Sequence, residues 1–186
     1  DENTLIMFSG DNGYGKTPIS NKSPDSDFEF RGEKSNLYDG GLRVPFFAYW
    51  PGKIAAGQRS DFVSYFPDVM PTIAEATAAK LPAEANGVSI LPTLIGEKAA
   101  GHAQTPHDFL YWNHKEWKAL RQNDWTLIKG PKSRTWELYN VQSDPGQKDD
   151  LATKQPGKLQ ELVILADGAH EAQREGIYQS REWDDR

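Results

Sequence analysis

The sequence predicts an α/β chain in which the end of an α/β sheet domain is followed by a small antiparallel-sheet-plus-helix subdomain. Three observations lead to this fold class. Two short apolar runs, at 4–8 and 44–50, each end in turn residues, as buried strands do. A helical pattern follows at 68–80, and aromatic-rich runs separated by turn signals occupy 108–141. We place the predicted domain boundary so that residues 1–100 form the first part and residues 101–186 the second.

Composition excludes several classes of protein. The 186 residues suffice for one ordinary domain or for part of a larger one. The formal net charge of −6 and the lack of a basic patch argue against a nucleic-acid partner. No apolar run approaches the length needed to cross a bilayer, so no membrane partner is expected. The absence of cysteine excludes disulfides, cysteine-ligated zinc and a cysteine nucleophile.

The first predicted strand is "TLIMF" at 4–8, a continuous apolar run that fits a strand buried on both faces of a parallel sheet. The second is "VPFFAYW" at 44–50, closed by the turn signal Pro51-Gly52. A long polar segment at 13–36 separates them and is predicted to be a loop, either functional or disordered. Two strands alone make a poor parallel sheet, so we expect further strands upstream of Asp1.

A helix is predicted at 68–80, because apolar side chains recur there at helical spacing. Asp68 is predicted to cap this helix, and Pro71 falls in its first turn, where a missing N–H is harmless. Residues 81–101 are predicted to be loop with one short turn.

The second part of the chain is predicted to be an antiparallel meander followed by a helix. The strand candidates are "DFLYWN", "KALRQNDWTLIKG" and "TWELYNV", with breaks at Asn123-Asp124 and Gly130-Pro131. The last helix is predicted at 156–175, with an apolar stripe on one face, and the charged tail from Ile177 is predicted to fray.

Asp11 and Asn12 end the first strand within "SGDNGYG" and are candidate metal ligands. In open α/β sheets, ligands bind beyond the carboxyl ends of the strands. A carboxylate beside a carboxamide offers hard oxygen ligands, which favour calcium or magnesium over zinc. An ordinary Asx turn explains Asp-Asn-Gly equally well, and these residues alone leave both interpretations open.

Lys34 lies in "RGEKSNLYDGGLRVPF", a glycine-flanked loop just before the second strand. A lysine held near a metal can bind an anionic ester oxygen and stabilise charge on a leaving group. A solvated loop lysine is the alternative.

The order of these segments resembles the type I sulfatases, the arylsulfatase-like members of the alkaline phosphatase superfamily. "DNG", "RGEK", "LYDGGLRVPF" and "WPGK" resemble the carboxyl-terminal half of that family, and "DVMPTIAE", "NGVSILPTLIG" and "WELYNVQSDPGQKDDLA" follow in the family's order. The likeness runs from about Thr4 to Ala152. It implies that the first part is the C-terminal end of an alkaline-phosphatase-like α/β sheet domain.

The resemblance also implies chemistry. Family members hydrolyse sulfate esters at a calcium-containing site. Asp11 and Asn12 match the Asp-Asn pair that supplies two calcium ligands, and Lys34 matches the lysine that contacts the sulfate group of the substrate. The "GGLR" turn is interpreted as structural, with Arg43 either pairing with a core carboxylate or packing through its alkyl stem.

The chain departs from the family pattern at the nucleophile. That group is a formylglycine made from Cys or Ser in a Cys/Ser-x-Pro-x-Arg motif, and no such motif is present. The formylglycine is therefore expected upstream, in a missing N-terminal part of the same protein. The chain begins at Asp1 rather than Met, which supports a piece of a longer protein, and we expect the isolated piece to be inactive.

Two other functions remain open. A phosphodiesterase or phosphonate hydrolase of the same superfamily is one, although Asn12 favours calcium over a transition metal. The other is a non-catalytic module that binds a glycan or a protein through its aromatic second part. The expected partner is a sulfated small molecule or a glycan, which favours a periplasmic or extracellular location for the parent protein.

The remaining candidates have structural interpretations. His102, His107 and His114 are predicted to face solvent, and His170 to pack at the edge of the last helix. A substrate contact from the second part is the alternative for His102 and His107. Four tryptophans are predicted to serve mainly in core packing, with a sugar-binding groove as the alternative: Trp112, Trp117, Trp125 and Trp136. Without upstream neighbours, the strands at 4–8 and 44–50 are predicted to expose apolar faces and to promote self-association.

Overall fold

The computed structural model describes residues 3–15 and 30–171. In these ranges the chain forms two antiparallel sheets, one of two strands and one of four. The strands are β1 (Ile6–Ser9), β2 (Phe46–Tyr49), β3 (Leu110–His114), β4 (Trp117–Gln122), β5 (Trp125–Lys129) and β6 (Glu137–Asn140). The helices are α1 (Asp39–Leu42), α2 (Val69–Thr77), α3 (Leu91–Ile95), α4 (Glu97–Ala100) and α5 (Pro156–Ala169). This mixed α/β architecture agrees with the predicted fold class.

The two predicted strands of the first part exist, but the expectation that they belong to a parallel arrangement is wrong for this pair. β1 and β2 run antiparallel, with Ile6 opposite Tyr49 and Ser9 opposite Phe46. A continuous apolar run carries no information on strand direction, and in this chain Ile6 and Phe8 of β1 are exposed rather than buried. Pattern alone could not reveal this pairing.

The sheet formed by β1 and β2 exposes large apolar side chains, as predicted. The exposed fraction is 64% for both Phe8 and Phe47 and 62% for Tyr49. Phe8 and Phe47 lie in opposing positions with ring centroids 6.3 Å apart. Exposed apolar patches of this kind mark interaction surfaces or sites of association.

The helix α2 forms where predicted, but Asp68 does not cap it with its side chain. The carboxylate of Asp68 accepts hydrogen bonds from the backbone N–H groups of Tyr65 and Val88 instead. The prediction that 81–101 is mostly loop is also wrong at its end, where α3 and α4 form two short helices. The α3 helix has Pro92 in its first turn, and Gly96 separates α3 from α4.

The predicted meander is confirmed as a four-stranded sheet in the order β3-β4-β5-β6. The segment 118–130 provides two of its strands, because Asn123 adopts a positive φ of 53° and turns the chain between β4 and β5. The α5 helix packs on this sheet through Leu162 and Ala166, which join a core cluster with Leu120, Leu127 and Leu138. The predicted extension of α5 to 175 lies mostly outside the described residues, as does the tail from Ile177.

The four tryptophans pack against the core, as predicted. Trp112 and Trp117 lie against a cluster that contains Tyr38, and Trp125 and Trp136 lie against the cluster beneath α5. The first cluster also contains Leu37, Ala119, Ile128, Tyr139 and Val141. The loop that follows Lys34 is thereby attached to the four-stranded sheet. None of the helices in the described residues has the length and apolar character of a bilayer span.

Candidate functional site

Asp11 and Asn12 follow β1 directly, in the turn that leads away from the small sheet. The Gly10 N–H donates to the Pro45 carbonyl at 3.3 Å, which continues the β1–β2 pairing to the edge of the turn. Asp11 is exposed. The side-chain oxygen Oδ1 of Asn12 is buried and has no hydrogen-bond partner among the described residues.

Glycines let this turn and the loop before β2 approach each other backbone to backbone. The Gly13 N–H donates to the Gly41 carbonyl at 3.0 Å. A Cβ atom on Gly13 would lie 2.1 Å from the Gly40 carbonyl oxygen and 2.7 Å from the Cα of Gly41. The "GG" turn has the same constraint on its other side, since a Cβ on Gly41 would lie 2.3 Å from the Asn36 carbonyl oxygen. This turn is structural, as the sequence predicts.

Lys34 occupies a tight turn beside the same segment. The Asn36 N–H donates to the Glu33 carbonyl at 3.1 Å, and Ser35 has a φ of 81°, as in a type II turn. The Lys34 N–H donates to the Tyr14 carbonyl at 2.8 Å, so the backbone of Lys34 is one hydrogen bond away from the segment that follows Asn12. Its side chain is exposed. The structure thus brings all three candidate residues to one end of the small sheet.

The donor set at this position fits a hard cation. A buried amide oxygen without a hydrogen-bond donor costs about 1–3 kcal/mol, which coordination by the Asn12 oxygen would offset. Carboxylate and carboxamide oxygens are the ligands that calcium prefers. No cluster of three or more His, Cys, Asp or Glu suited to a metal occurs within 3–15 and 30–171. Asp11 and Asn12 would therefore form only part of a ligand set.

Asp39 connects the loop to the four-stranded sheet and was not singled out by the sequence. Its carboxylate accepts from the Arg43 Nε at 2.8 Å and lies 4.0 Å from the Arg121 guanidinium of β4. Burial lowers the pKa of Arg121. The Asp39 N–H donates to the side-chain oxygen of buried Gln147 at 2.9 Å. The predicted pairing of Arg43 with a core carboxylate is confirmed.

A second connection centres on Glu137 of β6. Its Oε2 accepts from the hydroxyls of Tyr38 at 2.7 Å and Tyr139 at 2.6 Å, and lies 3.6 Å from the Arg31 guanidinium. Arg31 also donates to the Tyr139 hydroxyl at 2.8 Å and to the Gln147 carbonyl at 3.1 Å. Burial, and then the hydrogen bond to Glu137, raises the pKa of each tyrosine far above its ordinary value. Both hydroxyls therefore remain protonated donors.

Sequence reasoning missed this cluster because its members lie about a hundred residues apart. One signal was available. Glu137 and Tyr139 are two positions apart in a strand, so they share a face of the sheet. A carboxylate that lies beside a buried tyrosine needs a hydrogen-bond donor or a cation as its partner. Arg31, in the loop before β2, was a candidate for that cation.

His107 is the histidine whose environment differs most from expectation. It was predicted to face solvent, but its side chain is only 11% exposed and its Nε2 lies 2.9 Å from the Asp68 carboxylate, which is 1% exposed. The ring packs edge-on against Tyr65 with centroids 5.0 Å apart. The prediction failed because Asp68 lies 39 residues away in sequence.

The other histidines lie at the surface. His102 is 49% exposed and pairs with Glu75 at 2.7 Å. His114 is exposed at the end of β3. His170 Nδ1 lies 3.0 Å from the Tyr111 hydroxyl at the end of α5, so it sits at the edge of the helix as predicted.

The chain is similar in sequence to several known proteins. Residues 30–165 match the family model described as "N-sulphoglucosamine sulphohydrolase, C-terminal". An N-acetylgalactosamine-6-O-sulfatase of Bacteroides thetaiotaomicron is 26% identical over 88% of this chain and 36% of its own length. An N-acetylgalactosamine-6-sulfatase of Mus musculus is 33% identical over 78% of this chain and 28% of its own length. The chain thus spans about a third of the curated relatives it matches.

Solved structures give the same result. A crystal structure of Ps i-CgsB in complex with k-i-k-neocarrahexaose matches with a TM-score of 0.71 and 26% identity. The alignment covers 90% of this chain and 36% of that one.

Proposed function

Because the chain belongs to the family of sulphohydrolase C-terminal domains and is a C-terminal portion of a type I sulfatase, we propose that it serves in a calcium-dependent hydrolase of sulfate esters. In this proposal Asp11 and Asn12 supply two calcium ligands and Lys34 binds the sulfate group. The observation that carries it is the buried, unpartnered Oδ1 of Asn12, next to an exposed carboxylate and one hydrogen bond from the Lys34 turn.

The residues of this chain would act on charge. Lys34 places an ammonium where a sulfate oxygen binds, and this cation stabilises negative charge as the ester bond breaks. Bound calcium would neutralise further charge on the sulfate oxygens. The nucleophile, a formylglycine by resemblance to the family, is assigned to the part of the protein outside this chain. The chain alone is therefore proposed to be inactive.

The proposed substrate is a sulfated sugar. Two of the relatives are named for N-acetylgalactosamine sulfates, and one solved neighbour holds an oligosaccharide. Sulfated polymers are met mainly outside the cytoplasm, so we propose a periplasmic or extracellular location for the complete protein.

The remainder of the protein is the proposed partner of the small sheet. Phe8, Phe47 and Tyr49 present an apolar face that is more than half exposed in this chain. Since the relatives extend over about three times its length, the additional chain is available to cover this face. A lone 186-residue chain is proposed to self-associate through it.

The test uses the complete protein that contains this chain. An aryl sulfate, a sulfated N-acetylhexosamine and an aryl phosphodiester are compared as substrates, before and after removal of calcium with a chelator. We expect turnover of the sulfate esters, a loss of activity with the chelator and recovery with added calcium. Asn12→Ala and Asp11→Asn are expected to lower kcat/KM by at least about 100-fold.

Asp61→Asn provides the matched control, because Asp61 is an exposed carboxylate with no hydrogen bond among the contacts of the described residues. It should retain full activity and full response to calcium. Preferred turnover of the phosphodiester would favour the other branch of the superfamily. A parent protein that ignores chelation would refute the metal assignment.

A further inference from the structure

The loop that carries Lys34 is held to the four-stranded sheet on both sides of the lysine. Arg31 precedes Lys34 by three residues, and Tyr38 follows it by four. Both reach the same carboxylate, that of Glu137 on β6, at 3.6 Å and 2.7 Å. The Arg31 guanidinium also stacks on the Tyr38 ring, 4.0 Å from its centroid. The two ends of the loop are thus closed onto one acceptor.

Within residues 3–15 and 30–171, the Lys34 side chain makes no hydrogen bond or ion pair that would fix its direction. It is exposed, and the hydrogen bond of its turn to the neighbouring segment is made by the backbone N–H to Tyr14. The direction of the ammonium therefore depends on the position of the loop. Charge-assisted hydrogen bonds such as those at Glu137 are about twice as strong as neutral ones, and they define geometry as well as energy.

We infer that Glu137 is a positioning residue for sulfate binding, which acts through Arg31 and Tyr38 to fix the loop that presents Lys34. This inference rests on the proposed function of Lys34 and assigns to the C-terminal sheet a part in that function. In this inference the Glu137 carboxylate contacts only Tyr38, Tyr139 and Arg31, and neither substrate nor metal. Its effect on turnover passes entirely through the lysine.

The test is a double-mutant cycle in the complete protein with an aryl sulfate. Glu137→Gln keeps the side-chain size, removes the charge and is expected to lower kcat/KM about tenfold. Lys34→Met is expected to lower it about 100-fold. If Glu137 acts through Lys34, the double variant is no worse than Lys34→Met alone. Losses that multiply to about 1,000-fold would show an independent role and overturn the inference.

Amide hydrogen exchange supplies a readout that is independent of activity. Glu137→Gln should speed exchange at the Lys34 amide about tenfold and leave Leu127, which is fully buried in β5, unchanged. Unchanged exchange at Lys34 would also overturn the inference. If the complete protein hydrolyses no sulfate ester, the proposed function is contradicted instead. The amide exchange rate at Lys34 then still tests whether Glu137 holds the loop in place.

Two pairs of matched variants guard against general damage. Glu116→Gln removes an exposed carboxylate from the β3–β4 turn. It should change neither the rate of sulfate ester hydrolysis nor the rate of amide exchange at Lys34. If Glu137→Gln does not fold, Tyr38→Phe replaces it, because it deletes only the hydroxyl that joins the loop to Glu137. Its control is Tyr111→Phe, which deletes a hydroxyl contact to His170 at the opposite edge of the sheet.

Discussion

Gly13→Ala should open the candidate site, because Gly13 lies where two backbones touch. The added Cβ would stand 2.1 Å from the Gly40 carbonyl oxygen and 2.7 Å from the Gly41 Cα, and these are backbone atoms that cannot rotate away. Overpacking of this kind costs about 1–3 kcal/mol. The 3.0 Å hydrogen bond from Gly13 to Gly41 would be lost as the segments separate, which costs about 1 kcal/mol more.

The expected total is about 2–4 kcal/mol, from the sum of these two effects. For a chain of 186 residues a loss of about 3 kcal/mol lowers Tm by about 6–12 °C, and for a complete protein about three times as long the shift falls to about 2–4 °C. The measurement is thermal and urea unfolding of the complete protein, together with the rate of sulfate ester hydrolysis. Activity should fall as well, since Asn12 adjoins the displaced residue.

Gly15→Ala is the matched control, because a Cβ at Gly15 meets no atom within 4 Å. It should change stability by less than about 0.5 kcal/mol. Equal unfolding curves and equal activities for the two alanine variants would refute the close-packing argument.

Three further predictions address other parts of the molecule. Asp68→Ala leaves the N–H groups of Tyr65 and Val88 without their acceptor and should destabilise the protein by about 3–5 kcal/mol, measured by urea unfolding, whereas Asp61→Ala should be neutral. The hydrogen bond from His102 to Glu75 raises the pKa of His102 above its ordinary 6.5. The stabilisation of the folded protein by protonated His102 is therefore fully present below pH 6.5 and is lost as pH rises through the raised pKa. His102→Gln should remove this part of the pH dependence of stability, and His114→Gln should not. Phe8→Lys with Phe47→Glu should reduce self-association of the isolated chain in light scattering, and exchanging the two charges of the exposed β3–β4 turn, Lys115→Glu with Glu116→Lys, should leave it unchanged.

The periodicity and turn residues within a segment were enough to predict those helices and strands that form from contacts between neighbouring positions. The α2 helix and the meander were predicted because periodicity and turn residues are properties of neighbouring positions. The antiparallel direction of β1 and β2 was not predictable in this way, since it depends on the path of the chain between them. Asp68 was placed correctly at the start of α2 but given a local role, although Val88 and His107 are its partners.

The candidate site shows the same division. Asp11, Asn12 and Lys34 were singled out because they carry recognisable chemistry next to glycines. The structure places them at one end of the small sheet, and their metal and sulfate roles stay predictions. Glu137, Asp39, Arg31 and Arg121 were missed, because no local pattern reports a contact between residues 108 positions apart, such as Asp39 and Gln147.

The shared core of Tyr38, Ala119, Ile128 and Tyr139 has a consequence for recombination between homologues. A crossover placed after residue 100 would transplant β4 and β6 without the Arg31 and Tyr38 that evolved to meet them. Chimaeras designed to exchange specificity should therefore carry residues 30–43 and the meander as one cassette. If these two segments came from different homologues, each could fold, but the contacts of Tyr38 with Tyr139 and Glu137 would no longer match.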